Sequence, residues 1–219
     1  MSEVLVSALS FTLQKQAESA RAAFERGKLA QAAELCAEIL AEQPACLTVR
    51  KLERAILLKL ASIRSGSLSK MVQAVSNAPF LLGGGLKLKE EPRAALAAAE
   101  KLLRRDPQST AALALLGQAA MALGWPETAV FACEAATDLE HDRPDRWVAL
   151  SGAYLAAGRA KDAGHAADEA LRLQPAYADA LVLQRAAAVA VSMAQGKWGQ
   201  GGDFRAKLAG GSTESPPKP

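Results

Sequence analysis

Aromatic side chains are scarce in this chain. Its 219 residues include three Trp, two Tyr and five Phe. Strands draw heavily on aromatic and β-branched residues, whereas the 49 alanines favour closely packed helices, so a sandwich or barrel is excluded. Long apolar runs are also missing, and none reaches the ~20 residues needed to span a bilayer. Histidine occurs twice and cysteine three times, with no C-x-x-C pair, too few ligands for a multi-ligand metal site. The 26 basic and 23 acidic residues leave a net charge of +3, too little for a whole-molecule nucleic-acid footprint. Cys36, Cys46 and Cys133 form an odd set, which fits free thiols in a reducing compartment, and a cytoplasmic protein is expected. The apolar run Val4, Leu5, Val6, Leu9, Phe11 has no positive residue before it. The first charge is Glu3 and the first lysine Lys15, so the run reads as the start of a helix rather than a secretory signal.

What is present is a repeat. Gly158, Ala163, Ala170 and Pro175 stand at steps of 5, 12 and 17 from the glycine. Gly27, Ala32, Ile39 and Pro44 repeat those steps. Gly124, Ala129 and Ala136 do so again, with His141 in place of the proline, and Glu90, Ala95, Leu102 and Pro107 give a further copy without the glycine. Leu116 to Leu150 and Gly124 to Gly158 share one longer step, which sets the period of the repeat. Small residues allow two antiparallel helices to approach closely, glycine supplies a tight turn, and proline stops the second helix.

These residues resemble the tetratricopeptide repeat, a helix–turn–helix whose period is the same as the longer step. The fullest copy is Trp147, Leu150, Tyr154, Gly158, Ala163, Ala170 and Pro175, departing from the family pattern at Ser151 and Ala167. The resemblance implies an all-α fold, a right-handed α-α superhelix of about five helix-hairpin units plus a terminal helix, over residues 1–195. The units run about 13–46, 47–79 (degenerate), 80–109 (shortened), 110–143 and 144–177, with a last helix over 178–195. The first helix is expected to extend upstream towards Val4. Two full repeats counted from Pro44 would end beyond Pro107, and the loss is placed around Phe80–Leu86. Residues 196–219 read as a Gly/Pro-rich tail.

Nothing in the chain matches a catalytic motif. There is no phosphate-binding G-x-x-x-x-G-K-[ST], G-x-S-x-G, H-E-x-x-H or dinucleotide-binding glycine pattern. His141 and His165 are expected on the surface. Cys36 and Cys133 fall where the repeat packs an apolar side chain, and so read as buried structural thiols. No enzymatic activity, cofactor or metal is expected, and alanine richness leans towards a bacterial source.

By the resemblance, the first helices of successive repeats line a groove. That assigns Ala111, Ala114, Gln118 and Met121, then Val148, Gly152 and Leu155, then Val182, Ala186 and Val189, to partner binding. The lysine, asparagine and arginine with which chaperone-binding members clamp a terminal carboxylate are absent from these positions. A small, apolar lining suits an amphipathic helix or an extended apolar segment of a protein partner. The function implied is a protein–protein interaction scaffold. The alternatives are a chaperone-like holder of an export-bound apolar segment and a self-assembling structural homo-oligomer.

The last helix is apolar nearly all round (Ala186 to Met193), unlike the polar cap that repeat arrays need. Val191 and Met193 are expected to be covered either by the tail, through Trp198 and Phe204, or by a second copy in a homodimer. Residues 47–75 hold six basic residues, Arg50, Lys51, Arg54, Lys59, Arg64 and Lys70, against Glu53. Solvated helix faces account for this charge, and neither nucleic acid nor membrane contact is expected.

Overall fold

The computed structural model describes residues 3–64 and 91–196, and among them nine α-helices and no strand. They are α1 (Phe11–Glu25), α2 (Leu29–Glu42), α3 (Leu47–Arg64), α4 (Pro92–Arg105), α5 (Thr110–Leu123), α6 (Pro126–Leu139), α7 (Pro144–Ala156), α8 (Ala160–Leu173) and α9 (Ala178–Gly196). Within residues 3–64 and within 91–196, each helix packs on the next in sequence, as a stack of antiparallel hairpins.

Local chemistry sets the ends. Ser10 and Ser109 cap α1 and α5, their hydroxyls accepting from the amides of Leu13 and Ala112 at 3.4 and 3.3 Å. Proline opens α4, α6 and α7 at a position where its missing amide costs nothing. Gly124 and Gly158 lie in the left-handed region at φ 72° and 74°, where any side chain is strained.

The chain before α1 departs from the expected upstream helix. Residues 3–5 form no helix, with Leu5 extended, Val6–Ala8 form one 3₁₀ turn, and the α-helix starts only after Ser10. A serine cap at that point ends the helix, and the Gln14 side chain, donating to the carbonyls of Ser7 and Leu9, holds the preceding turn across it.

Two hydrophobic cores form. One joins α1, α2 and α3 through Leu13, Ala20, Ala32, Cys36, Ile39, Val49 and Ile56. The other runs through α4 to α8, with Leu96, Leu102, Leu113, Leu116, Trp125, Ala129, Ala136 and Leu150. Val4 packs against both.

Cys36 and Cys133 are buried in separate cores. Burial pushes the Cys36 thiol up to about 12, helped by the nearby Glu53 carboxylate, and Cys133 up to about 11. Cys36, wholly enclosed, is therefore expected to resist a thiol reagent in native buffer at about pH 8 and to react only as fast as its core opens, whereas Cys133, 8 % exposed, is slowed by its raised pKa alone. Rapid native-state alkylation of Cys36, followed by peptide mass mapping, would contradict this assignment.

Candidate functional site

The helices α5, α7 and α9 begin at residues 110, 144 and 178, and α6 and α8 at 126 and 160, so the step is constant along the stack. Residues one step apart therefore occupy equivalent places. Ala114, Val148 and Val182 form one such row, Gln118, Gly152 and Ala186 a second, and Met121, Leu155 and Val189 a third. Together with the left-handed glycines Gly27, Gly124 and Gly158 at the turns α1–α2, α5–α6 and α7–α8, this spacing decides the architecture. The fold is a tetratricopeptide-type solenoid.

Between the solenoid's α5, α6 and α7 lies an open cleft of about 420 Å³. Its floor is small and apolar: Ala114 and Gly117 from α5, Cys133 and Ala136 from α6, and Ala149, Gly152 and Ala153 from α7. Gln118 and Met121 stand on one wall, Asp145 and Arg146 on the other. Small side chains make the cleft possible. A Cβ on Gly117 would meet the Cys133 sulfur at 3.1 Å, so α5 and α6 approach closely only because position 117 has none.

The charges at the rim are committed to each other. Arg146 Nε donates to Glu140 Oε2 at 2.7 Å, while Glu140 Oε1 accepts from the Thr110 hydroxyl at 2.7 Å. Burial alone would raise the Glu140 pKa, but these two hydrogen bonds outweigh it and hold the carboxyl below its usual range. Arg143 grips Asp145 through two parallel hydrogen bonds at 3.0 and 3.1 Å. The cleft thus offers apolar surface at its centre and an internally neutralised ionic edge.

The α7–α8 hairpin is fixed by polar contacts. Ser151 Oγ donates to the Ala163 carbonyl at 2.8 Å, which explains a hydroxyl at a position where the repeat favours glycine. Tyr154 donates to Glu134 at 2.7 Å, and the Arg159 guanidinium lies 4.4 Å from the tyrosine ring centroid. Burial and the Glu134 carboxylate together push the Tyr154 hydroxyl up to about 12.

Of the residues assigned from sequence, Ala114, Gln118, Met121 and Gly152 meet around this cleft. Ala111 is exposed outside it, and Val148 and Leu155 are not among its lining residues. Val182, Val189 and Met193 are 63, 58 and 60 % exposed on α9, with Ala186 exposed among them. The helix expected to be buried on more than one side buries Ala180 and Ala187 and leaves this stripe uncovered among the described residues. Val191 lines a separate cleft between α8 and α9, together with Gly164, Asp168, Gln184 and Ala188. Trp198 and Phe204, and the stretch around Phe80–Leu86, lie outside the described residues. The second-helix lining, Cys133 and Ala136, lies outside the first-helix register that the sequence pattern assigns to the groove.

Among the described residues, no group of three or more histidine, cysteine or acidic side chains is placed to hold a metal ion. Nor is any described helix long and apolar enough to cross a membrane.

No family model matches the chain, and no curated protein matches it. Solved solenoids of the same type do align. A thermophilic TPR protein of Thermus thermophilus is 21 % identical, over 81 % of this chain and 99 % of its own, with a TM-score of 0.45. YrrB, a TPR protein with an unusual peptide-binding site, is 16 % identical over 78 % of this chain and 90 % of its own, at 0.47. The TPR2AB domain of yeast Sti1, solved with pHSP90, is 16 % identical over 80 % of this chain and 69 % of its own, at 0.48.

Proposed function

We propose that this solenoid is a non-catalytic protein–protein interaction scaffold whose groove takes an apolar segment of a partner chain. The observation that carries the reading is a set of exposed apolar side chains on the first helices of the repeats, two of them at equivalent positions. Met121, 42 % exposed at the mouth of the cleft, is followed one repeat pair later by Val189, with Val182 and Met193 beside it. Exposed apolar side chains gathered on one helix face, as on α9, are a cost in water unless something covers them. The internally paired rim supports an apolar rather than an anionic ligand, because neither rim arginine is left to clamp a carboxylate.

The test is the double variant Val148→Glu, Val182→Glu, compared with the parent chain in crosslinking and co-purification. A carboxylate on each of two stacked positions should cut partner recovery by about tenfold or more, since burying an unpaired charge is costly. Unchanged recovery with unchanged helical circular dichroism overturns the groove reading.

Self-association is the competing reading, favoured by the uncovered stripe on α9. Light scattering on the full chain separates the two. A stable dimer that Val182→Glu dissociates makes the groove an interface between copies, whereas a monomer leaves it for a partner.

A further inference from the structure

The constant step along the stack leaves one place unfilled at its far end. An open cleft of about 500 Å³ between α8 and α9 is lined by Gly164 on α8 and by Gln184, Ala187 and Ala188 on α9. One step earlier these places are Val130 on α6 and Leu150, Ala153 and Tyr154 on α7. There a helix occupies the cleft. It is α8, held by the hydrogen bond from Ser151 to the Ala163 carbonyl and by Arg159, its N-cap residue, which reaches Glu134 on α6 at 3.8 Å. Val130, Leu150 and Ala153 are buried as a result. Two steps earlier, Leu96 on α4 and Leu116, Ala119 and Ala120 on α5 are buried in the core that α6 joins. At the end of the stack no described residue takes that role, and Arg185 and Ala188 are exposed. The turn that would bring a second helix here is also missing. Ser192 stands one step after the turn glycine Gly158, and α9 runs through it to Gly196, whereas α7 ends at Ala156. Beyond Gly196 the longest stretch of sequence free of glycine and proline is 203–209, half of the 14 residues of α8.

We propose that the α8–α9 cleft is a second docking site, separate from the cleft between α5, α6 and α7, and that it receives an amphipathic helix of another protein, with bulky aliphatic side chains on its buried face and acidic side chains flanking them. The cleft itself specifies that chemistry. In the filled place one step earlier, α8 buries only alanines, Ala163, Ala166, Ala167 and Ala170, against a surface that already carries Val130, Leu150 and Tyr154. Here glycine, glutamine and alanine stand at those three positions, so close packing requires the incoming helix to supply the missing volume. The rim is positive. Asp168 is held by Gln184, whose side-chain amide donates to it at 2.6 Å, whereas Lys161 and Arg185 make no ion pair among the described residues. Acidic side chains on the incoming helix complement these two cations and set its register.

The probe is a stapled, labelled peptide copying residues 160–173 with Ala163→Leu, Ala167→Leu and Ala170→Leu on one face and Lys161→Glu and Arg172→Glu beside them. Fluorescence anisotropy with the full chain should give a Kd below about 100 μM, and a peptide with the same leucines but lysine at every acidic place should bind about tenfold more weakly. A Cβ at Gly164 meets only the Ala187 methyl, at 3.8 Å, so the backbone there accepts a side chain. Gly164→Trp, which fills the cleft, and the pair Lys161→Glu, Arg185→Glu, which reverses its rim, should each weaken binding about tenfold or more. Ala188→Glu, at an exposed position, repeats the test should Gly164→Trp fail to fold. Gly152→Trp, in the other cleft, should leave binding unchanged. No binding of the acidic peptide at about 1 mM overturns the proposal, as does binding that Gly152→Trp removes and Gly164→Trp does not. Two further results overturn it by naming another occupant. Binding that tightens about tenfold in the full chain carrying Trp198→Ser and Phe204→Ser assigns the cleft to the chain's own tail. A dimer by light scattering that Gly164→Trp dissociates assigns it to a second copy.

Discussion

Replacing Trp125 with alanine is expected to cost about 3–5 kcal/mol, the range for removing a fully buried large aromatic side chain. Trp125 is 1 % exposed and is the largest fully buried side chain among the described residues. It follows the left-handed Gly124, its amide donates to the Ala120 carbonyl at 2.9 Å, and its ring enters the core of α4–α8. The ring also borders a cavity lined by Val4, Glu42, Pro44 and Ala45, so both halves of the molecule depend on it. The melting temperature followed at about 222 nm should fall by roughly 10 °C for a chain of this size. Trp125→Phe should lose less, since most of the apolar volume remains. A Trp125→Ala protein that melts within about 2 °C of the parent would show that the ring is not the keystone of this junction.

Trp125 also marks where sequence reasoning stops. Its equivalent one repeat later is Arg159, which lies over Tyr154 at the surface, so the repeat pattern assigns this place to solvent. What makes it interior is the N-terminal segment, which reaches α6 from the far end of the chain. Periodicity registers neighbours within a repeat and between adjacent repeats, but it is blind to such a return. The inward turn of Arg50 and Arg54 is illegible for the same reason. Counted as part of a basic surface stretch, they turn inward because Glu100 and the Pro107 carbonyl arrive from a distant part of the sequence. By contrast, the left-handed turns at Gly124 and Gly158, the buried thiols Cys36 and Cys133, and the meeting of Ala114, Gln118, Met121 and Gly152 all depend on short-range register. Those were legible. The extent of the cleft was not, since much of its floor comes from side chains whose only property is being small.

That smallness gives the sharpest test of the groove, because its two glycines should answer oppositely. A Cβ at Gly152 meets nothing within 4 Å, whereas one at Gly117 crowds Cys133. Gly152→Ala should therefore stabilise α7 by roughly 0.5–1 kcal/mol, by removing backbone freedom from the unfolded chain, and leave partner capture intact. Gly117→Ala must displace Cys133 or α6 and should gain less or lose stability. Gly152→Trp then fills the cleft with an uncharged ring that the fold has room for. Partner affinity should drop by about 2 kcal/mol or more, roughly thirtyfold, the loss seen when a central anchor is denied its pocket. Because the indole carries no charge, that loss would report occupancy of the cleft rather than a new electrostatic field. Titration of a partner fragment identified by crosslinking, with circular dichroism confirming the fold, gives both readouts. If Gly152→Trp binds as tightly as the parent, the cleft between α5, α6 and α7 is not where the partner sits. Recognition would then have to rest on the exposed stripe of α9 alone.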